Sequence, residues 1–251
     1  MTLAEFSKAT LLACLFPGFL LLGADDSTAP ALRRLSIGIH VVYFPLPLIH
    51  GANVIQISNN PEAQYNISGT SDSPKWSPGA QVEYRLTNHI SLAGELHFHH
   101  ADYTQTTDTL SGYNTSTTGG DNRPITTMVE TSQVNLYEIP ILAHYYGFWQ
   151  NGKKRRIYFS GGLQLRHVGK IRTGNDYTYP SGATDYNENA AIPNETNTIG
   201  AVVGVGMRLV DEFHIRLTPE VRFVRWQAPA MLGAAYRSMA NQVEAEVGLS
   251  F

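Results

Sequence analysis

Apolar residues alternate with polar ones along most of this 251-residue chain, and no other feature constrains its fold as strongly. The segment VEAEVGLSF, Val243 to Phe251, places apolar side chains at every second position. Successive side chains of a β-strand point to opposite faces of the sheet, so a period of two predicts strands with one apolar face. After the first thirty residues we find no helical period, and we therefore predict an all-β protein.

Eight segments carry this alternation, and the connections between them alternate in length. The predicted strands are 35–43, 79–86, 90–100, 133–146, 156–167, 198–209, 213–226 and 239–251. The connections 87–89, 147–155 and 210–212 are short, while 44–78, 101–132, 168–197 and 227–238 are long. Long structureless connections are uncommon in a compact soluble domain, whereas a transmembrane barrel has short turns at one end and long loops at the other.

The two faces of these predicted strands differ in chemistry. One face is almost entirely hydrocarbon, and the other carries six glutamates and five arginines. The charged residues are Glu83, Arg85, Glu95, Glu138, Arg166, Arg208, Arg216, Glu220, Arg222, Glu244 and Glu246. A soluble barrel with the apolar face inward and a membrane barrel with that face outward both satisfy this division.

Several features favour the membrane barrel. An eight-stranded cylinder is just wide enough for side chains to fill it, so the balanced charges predict an ion network in the lumen. An arginine facing lipid near the midplane would cost about 2–4 kcal/mol. Aromatic residues also cluster at strand ends, as in interfacial girdles. They are Tyr145, Phe148, Trp149, Phe213 and Phe251 at the turn end, and Tyr43, Phe98, Tyr103, Tyr137, Phe223 and Trp226 at the loop end.

The first residues resemble an export signal rather than part of the fold. Residues 9–22 form an apolar run of the length of a secretory core, too short to span a bilayer as a helix. We predict a signal peptide over residues 1–24, cleaved between 24 and 31, and a barrel domain over 35–251. The segment LLAC ending at Cys14 also matches a lipobox, which leaves a lipoprotein as an alternative.

Net charge and one histidine cluster bear on which partners and ligands the protein could bind. A formal net charge of -3 gives no basic field for nucleic acid. His97 and His99 have the same parity, so one metal ion could contact both, with Glu95 or Asp102 as an oxygen ligand. His97, His99 and Asp102 could also serve a membrane-embedded acyltransferase or protease. No fixed third ligand or adjacent nucleophile accompanies them. We therefore predict that they are polar groups at the loop-side rim of the lumen, with no metal, no cofactor and no catalytic residue.

Two prolines lie inside predicted strands and oppose a closed barrel. Pro140 and Pro219 remove ladder donors, and proline is normally confined to edge strands or bulges. We expect a bulge or a local water at each of them.

One of these proline strands resembles a known family. YEIPILAHY, residues 137–145, is similar to the LEIPLLLKY strand of the eight-stranded outer-membrane β-barrel domains of Gram-negative bacteria, the OmpX- and PorT-like set. VEYRL at 82–86, TPEVRF at 218–223 and NQVE at 241–244 match as well, and the resemblance covers residues 35–251. It makes both prolines expected features. The sequence departs from the family at Ala143 and His144, where leucine and lysine are commoner.

The resemblance implies a fold, a location and a partner, but no catalytic residue. It implies an antiparallel up-and-down transmembrane barrel in the bacterial outer membrane, with outer-membrane lipids around it. It also implies recognition of the last strand by the outer-membrane assembly machinery. The residues of that signal would be Val243, Ala245, Val247, Leu249 and Phe251.

We therefore predict a structural or surface-interaction role through long extracellular loops, whose ligand the sequence does not identify. A narrow pore, a membrane enzyme using His97, His99 and Asp102, and a soluble periplasmic ligand-binding barrel are the alternatives.

Overall fold

The described residues of a computed structural model form β-strands joined by turns and loops. The structure describes residues 34–59, 62–112, 121–147, 157–210 and 215–251. The predicted signal peptide, the lipobox cysteine, Phe148, Trp149 and Phe213 lie outside these ranges. Within them, no helix is long and apolar enough to cross a membrane. The strands are β1 (Leu35–Tyr43), β2 (Ile49–Gly51), β3 (Asn53–Asn59), β4 (Glu62–Ser71), β5 (Trp76–Arg85), β6 (Ile90–Ser111), β7 (Ile125–Tyr145), β8 (Ile157–Val168), β9 (Ile171–Thr178), β10 (Thr184–Ala191), β11 (Asn197–Met207), β12 (Leu209–Val210), β13 (Arg216–Trp226), β14 (Tyr236–Ser238) and β15 (Asn241–Ser250).

Eight of these strands close into an antiparallel barrel. The order around it is β1, β5, β6, β7, β8, β11, β13 and β15, and β15 pairs with β1 to complete the circle. Each of the eight predicted strands overlaps one of these, and β1 has the predicted bounds. The predicted eight-stranded up-and-down barrel is therefore confirmed.

The apolar face of the barrel points outward and the charged face inward. In β1, Ile37, Ile39 and Val41 are 59%, 64% and 50% exposed, while Ser36 and His40 are buried. The same alternation recurs in β13, where exposed Val221 and Phe223 flank buried Arg222. The outward apolar face suits the hydrocarbon chains of lipids. The alternative of a soluble barrel with the apolar face inward is therefore wrong.

Both prolines interrupt the ladder without shifting its register. Between β6 and β7 the pairs Gly94↔Ile141 and His97↔Glu138 are in register, and only the two pairs between them, opposite Pro140, are missing. Pro219 behaves alike, because Gly206↔Glu220 and Leu209↔Leu217 keep one register on either side of it. Neither proline forms a bulge, so that alternative is wrong, and a local water at each proline stays a prediction. A missing ladder hydrogen bond does not require an extra residue.

The long connections fold into strands that extend the barrel wall beyond its loop end. β6 has 22 residues and β7 has 21, about twice what a tilted span needs. β5 pairs with the first half of β6, and β4 pairs with its second half. On β7 the chain order is reversed, because β9 pairs with its first half and β8 with its second half. The outer halves form a sheet in the order β10, β9, β7, β6, β4 and β3, which we call the displayed sheet.

An apolar cluster fills the loop end of the barrel, and we call it the cap. Inward side chains of the barrel strands meet two folded loops, 44–52 and 227–238, which are joined by pairing of β2 with β14. The cap consists of Val42, Phe44, Leu48, Ile49, Ala101, Tyr103, Val134, Leu136, Val168, Ile171, Ala230 and Met231. Tyr103 and Trp226 are buried inside, so their assignment to an outer aromatic girdle is wrong. Tyr43, Phe98, Tyr137 and Phe223 do point outward.

Candidate functional site

The centre of the lumen is organised by one buried arginine. Arg222 on β13 contacts three glutamates from different parts of the wall. Its guanidinium donates to Glu95 Oε1 and Oε2 at 2.7 and 2.5 Å and to Glu220 Oε1 at 2.7 Å, and it lies 2.6 Å from Glu246 Oε2. The arginine side chain is 1% exposed, so these charge-assisted bonds operate away from solvent.

A second ion pair lies nearer the cap. Arg166 on β8 donates to Glu138 Oε1 at 2.7 Å and to Gln242 Oε1 at 2.8 Å. Its guanidinium carbon lies 3.7 Å from the ring centroid of Trp226, a cation–π contact. Gln164 and Gln242 donate to Glu244 at 3.4 and 2.8 Å, so this carboxylate is bound by amides rather than by an arginine.

A third group lies toward the turn end of the lumen. Glu83 on β5 is paired with Arg208 at 2.5 Å and also accepts hydrogen bonds from Ser91 and from Tyr146, the latter at 2.9 Å. Arg208 also donates to the Tyr146 hydroxyl and lies over its ring. Arg85 and Arg216 lie at this end too, at the last position of β5 and the first of β13.

Two histidines from non-adjacent strands meet in the lumen. His40 on β1 and His97 on β6 are both cross-strand partners of Gly79 on β5. Their ring centroids are 4.6 Å apart at an interplanar angle of 80°, and both side chains are buried. A Cβ at Gly79 would collide with the His40 imidazole, so glycine is what lets the rings approach.

The predicted grouping of His97, His99 and Asp102 does not form. His97 and His99 point into the lumen, whereas Asp102 has the opposite parity and lies beside His100 on the other face of β6. His100 Nε2 is 3.1 Å from Asp102 Oδ1, and its Nδ1 is 2.7 Å from Asn135 Oδ1, so both nitrogens are engaged. The residue that sequence reasoning did not place in this cluster is His40, since only the strand register brings it beside His97.

The last strand closes the barrel and presents an apolar row outward. β15 pairs with β13 on one side and with β1 on the other. The inward row of β15 includes Gln242, Glu244 and Glu246, which are all buried. The opposite row contains the residues of the predicted assembly signal, Val243, Ala245, Val247, Leu249 and Phe251, which are half-buried or exposed.

The displayed sheet ends on one side in an uncharged strand. Among the residues that the structure describes, β3, NVIQISN, pairs with β4 alone, and Ile55 and Ile57 are 67% and 72% exposed. Arg123, near the tip of the β6–β7 hairpin, donates to Asp121 at 2.9 Å and to Gln64 of β4 at 2.9 Å. The hydrogen bond from Arg123 lowers the pKa of the Asp121 carboxyl below its ordinary value.

Comparison with known proteins places the chain in one family. The family described as outer membrane protein beta-barrel domain matches residues 48–225. No curated protein matches the sequence. Among solved structures, the chain is similar to the translocator domain of the autotransporter NalP from Neisseria meningitidis, with 8% identity over 99% of this chain and 95% of that one. The TM-score of 0.27 is too low for this likeness to carry any argument. The family match and the outward apolar wall together make the chain an integral protein of the bacterial outer membrane and a member of the outer membrane protein beta-barrel domain family.

Proposed function

We propose that this protein is a closed, non-enzymatic barrel that holds a binding sheet outside the cell. The observation that carries the proposal is the length of β6 and β7, which run from the barrel wall into the displayed sheet. Loops that served only to connect strands would not need this rigid extension of the wall. Long extracellular loops are a general feature of such barrels, so the displayed sheet faces the cell exterior.

The edge strand β3 is the surface best suited to a partner. Within the described part of the chain its backbone pairs with a strand on one side only, and its seven residues contain no charge and no proline. Natural sheets usually protect such edges with charges, prolines or bulges, because an open edge accepts another strand. The exposed Ile55 and Ile57 would add apolar contacts to the main-chain hydrogen bonds. The partner proposed here is therefore an extended peptide segment of another protein.

The filled lumen supports a closed barrel rather than a narrow pore. Arg222 and its three carboxylates occupy the centre, and the apolar cap fills the loop end. A conducting pathway would have to break buried ion pairs and open an apolar cluster.

The binding proposal can be tested with displayed peptides. Random ten-residue peptides on phage are selected against the barrel in lipid nanodiscs, with empty nanodiscs as the reference. The selected peptides are then measured against a double variant, Ile55→Lys with Ile57→Lys. We expect at least a tenfold loss of affinity, since two charges on an edge strand oppose strand addition.

Ile192→Lys provides the matched control, because Ile192 is 91% exposed but lies just outside β10. It should bind the selected peptides as the wild type does. The proposal fails if no peptide is enriched over empty nanodiscs, or if enriched peptides bind the double variant unchanged.

We further propose that the outer-membrane assembly machinery recognises β15 with Phe251. The support is the outward apolar row of this strand, which Phe251, directly after β15 and 57% exposed, continues. Phe251→Ala should lower the amount of folded barrel in outer-membrane fractions without lowering its synthesis. An unchanged amount would remove Phe251 from that signal.

A further inference from the structure

The lumen holds a cluster of potential metal ligands that the ion pairs do not fully use. His40, Glu95 and His97 each offer a ligand atom, and the three atoms lie within 4.8 Å of one another. Their residues are 2%, 4% and 0% exposed. His40 comes from β1 and the other two from β6, so a bound ion would link two strands that are not neighbours, across β5.

The imidazole nitrogens in this cluster are poorly satisfied. Among the described residues, neither nitrogen of His40 nor Nδ1 of His97 meets strict hydrogen-bond geometry, and the Gln81 side chain is the polar neighbour that interacts with His40. His40 Nδ1 lies 3.4 Å from Glu246 Oε1, and His97 Nε2 lies 3.2 Å from Glu95 Oε2. Buried polar nitrogens without partners cost free energy, and a metal ion is one way of satisfying a neutral imidazole.

The charge around the histidines is also unbalanced. Arg222 contacts Glu95, Glu220 and Glu246, so three carboxylates share one guanidinium. A divalent cation would add positive charge at a place where carboxylates outnumber guanidiniums.

We propose that the barrel lumen binds one divalent transition-metal ion through His40, His97 and Glu95. Two imidazoles and one carboxylate form a ligand set that zinc accepts, with a fourth position open. Glu246, beside His40, is the nearest candidate for that position. Glu95 keeps its contact with Arg222, because a carboxylate oxygen has two lone pairs and can accept a hydrogen bond while binding a metal.

The site requires only a small contraction. Bonds of about 2.0–2.2 Å to zinc place the ligand atoms of a tetrahedral site about 3.3–3.6 Å apart. The three ligand atoms now lie within 4.8 Å of one another, so binding requires the side chains to move closer together. Because the ligands are buried, we expect the ion to enter while the barrel folds rather than afterwards.

The test is metal uptake during refolding. Tag-free protein is refolded from urea into detergent with ZnCl₂, passed over a desalting column, and assayed for zinc per folded barrel. Folding is checked by the difference in gel mobility between boiled and unboiled samples. We expect one zinc per wild-type barrel, and at least a tenfold loss of retained zinc in His40→Gln and in His97→Gln.

His99→Gln is the matched control. His99 is a buried histidine on the same strand and face as His97, and it lies outside the ligand group. This variant should retain zinc at the wild-type level. The proposal is overturned if folded wild type retains no zinc, if His40→Gln and His97→Gln fold and keep it, or if His99→Gln loses as much.

A second measurement needs no variant, and it decides the matter if the glutamine variants do not fold. An ion that binds only the native state raises the stability of that state. Wild type refolded with ZnCl₂ should therefore unfold at a higher urea concentration than wild type refolded with EDTA. Identical urea midpoints would overturn the proposal. Co²⁺ offers a further readout, because visible absorption bands of tetrahedral intensity report nitrogen and oxygen ligation.

Discussion

Arg222 is the side chain on which most of the central lumen depends. It contacts Glu95 from β6, Glu220 from its own strand and Glu246 from β15. All four side chains are no more than 2% exposed, so none of these charges can turn to solvent. Removing the shared partner of several buried carboxylates is therefore more damaging than removing one member of a surface pair.

Replacing Arg222 by methionine should lower the free energy of unfolding by about 3–5 kcal/mol, because three buried carboxylates lose their cation. The measurement is the urea midpoint in lipid vesicles. Arg225→Met is the control on the same strand, since Arg225 is exposed and donates to Asn241 at 2.5 Å. Its effect should stay within about 0.5 kcal/mol. Equal effects of the two substitutions would contradict this role of Arg222.

Gly79 matters because it makes room rather than because of its backbone freedom. Gly79→Ala should destabilise the barrel by about 1–3 kcal/mol, since the new methyl group meets the His40 imidazole and the Leu96 carbonyl oxygen. Gly94→Ala on the neighbouring strand should change little, because a Cβ there meets no atom of the described residues within 4 Å. Both are measured by urea unfolding, and a harmless Gly79→Ala would show that the two histidines need no such gap.

The two faces of each barrel strand lie in different environments. The outer face contacts lipid, and the inner face contacts the polar lumen. β11 illustrates this, because Val203 near its middle is 60% exposed while the glycines on its other face pack against Ser160, Arg222 and Trp226. Small residues on the inner face accommodate the large ions and aromatic rings of neighbouring strands. The strand therefore combines an apolar surface with space for a polar lumen.

An arginine at Val203 tests the lipid contact directly. Val203→Arg should lower the free energy of unfolding in lipid vesicles by about 2–4 kcal/mol, as expected for a cation near the midplane. Asn197→Arg, at the first residue of the same strand, should cost no more than about 1 kcal/mol because interfacial depth is tolerated. A similar cost at both positions would mean that β11 does not cross the hydrocarbon region in this orientation.

Whether a residue number is odd or even decides the face of a strand on which its side chain lies. This rule predicted most of the fold from the sequence, and it also explains the errors. Asp102 differs in parity from His97, and Trp226 shares the parity of Arg222, so both misassignments were avoidable. The outer half of β6 was missed because Thr104 to Thr109 is polar on both faces, which removes the contrast on which alternation depends. The meeting of His40 with His97 depends on register across three strands, and no local pattern encodes it.

The whole molecule combines a filled cylinder with a folded exterior. The central ion pairs, the groups at the turn end and the apolar cap occupy successive levels of the lumen. The displayed sheet continues the wall through β6 and β7. Closure and display are thus built from the same strands.

Planar-bilayer recordings should find no single-channel steps from the wild-type protein. Phe44→Ala with Met231→Ala, which thins the cap, should also remain silent, because Arg222 and Arg166 still fill the lumen below it. Stable conductance steps from folded wild type, with an inactive heat-denatured sample as the control, would contradict the closed barrel and favour the pore.

The constant register of β6 and β7 along their whole length has a mechanical consequence. These two strands stay paired from Ile90↔Tyr145 to Leu110↔Ile125, apart from the gap at Pro140, with no hinge between the membrane wall and the outer sheet. A pulling force from a partner bound to the displayed sheet would act along the β6–β7 hairpin and be transmitted directly to the barrel in the membrane. Such a hairpin resists bending under load. Under a sufficient force, whole hairpins would be extracted from the membrane before the connection bent.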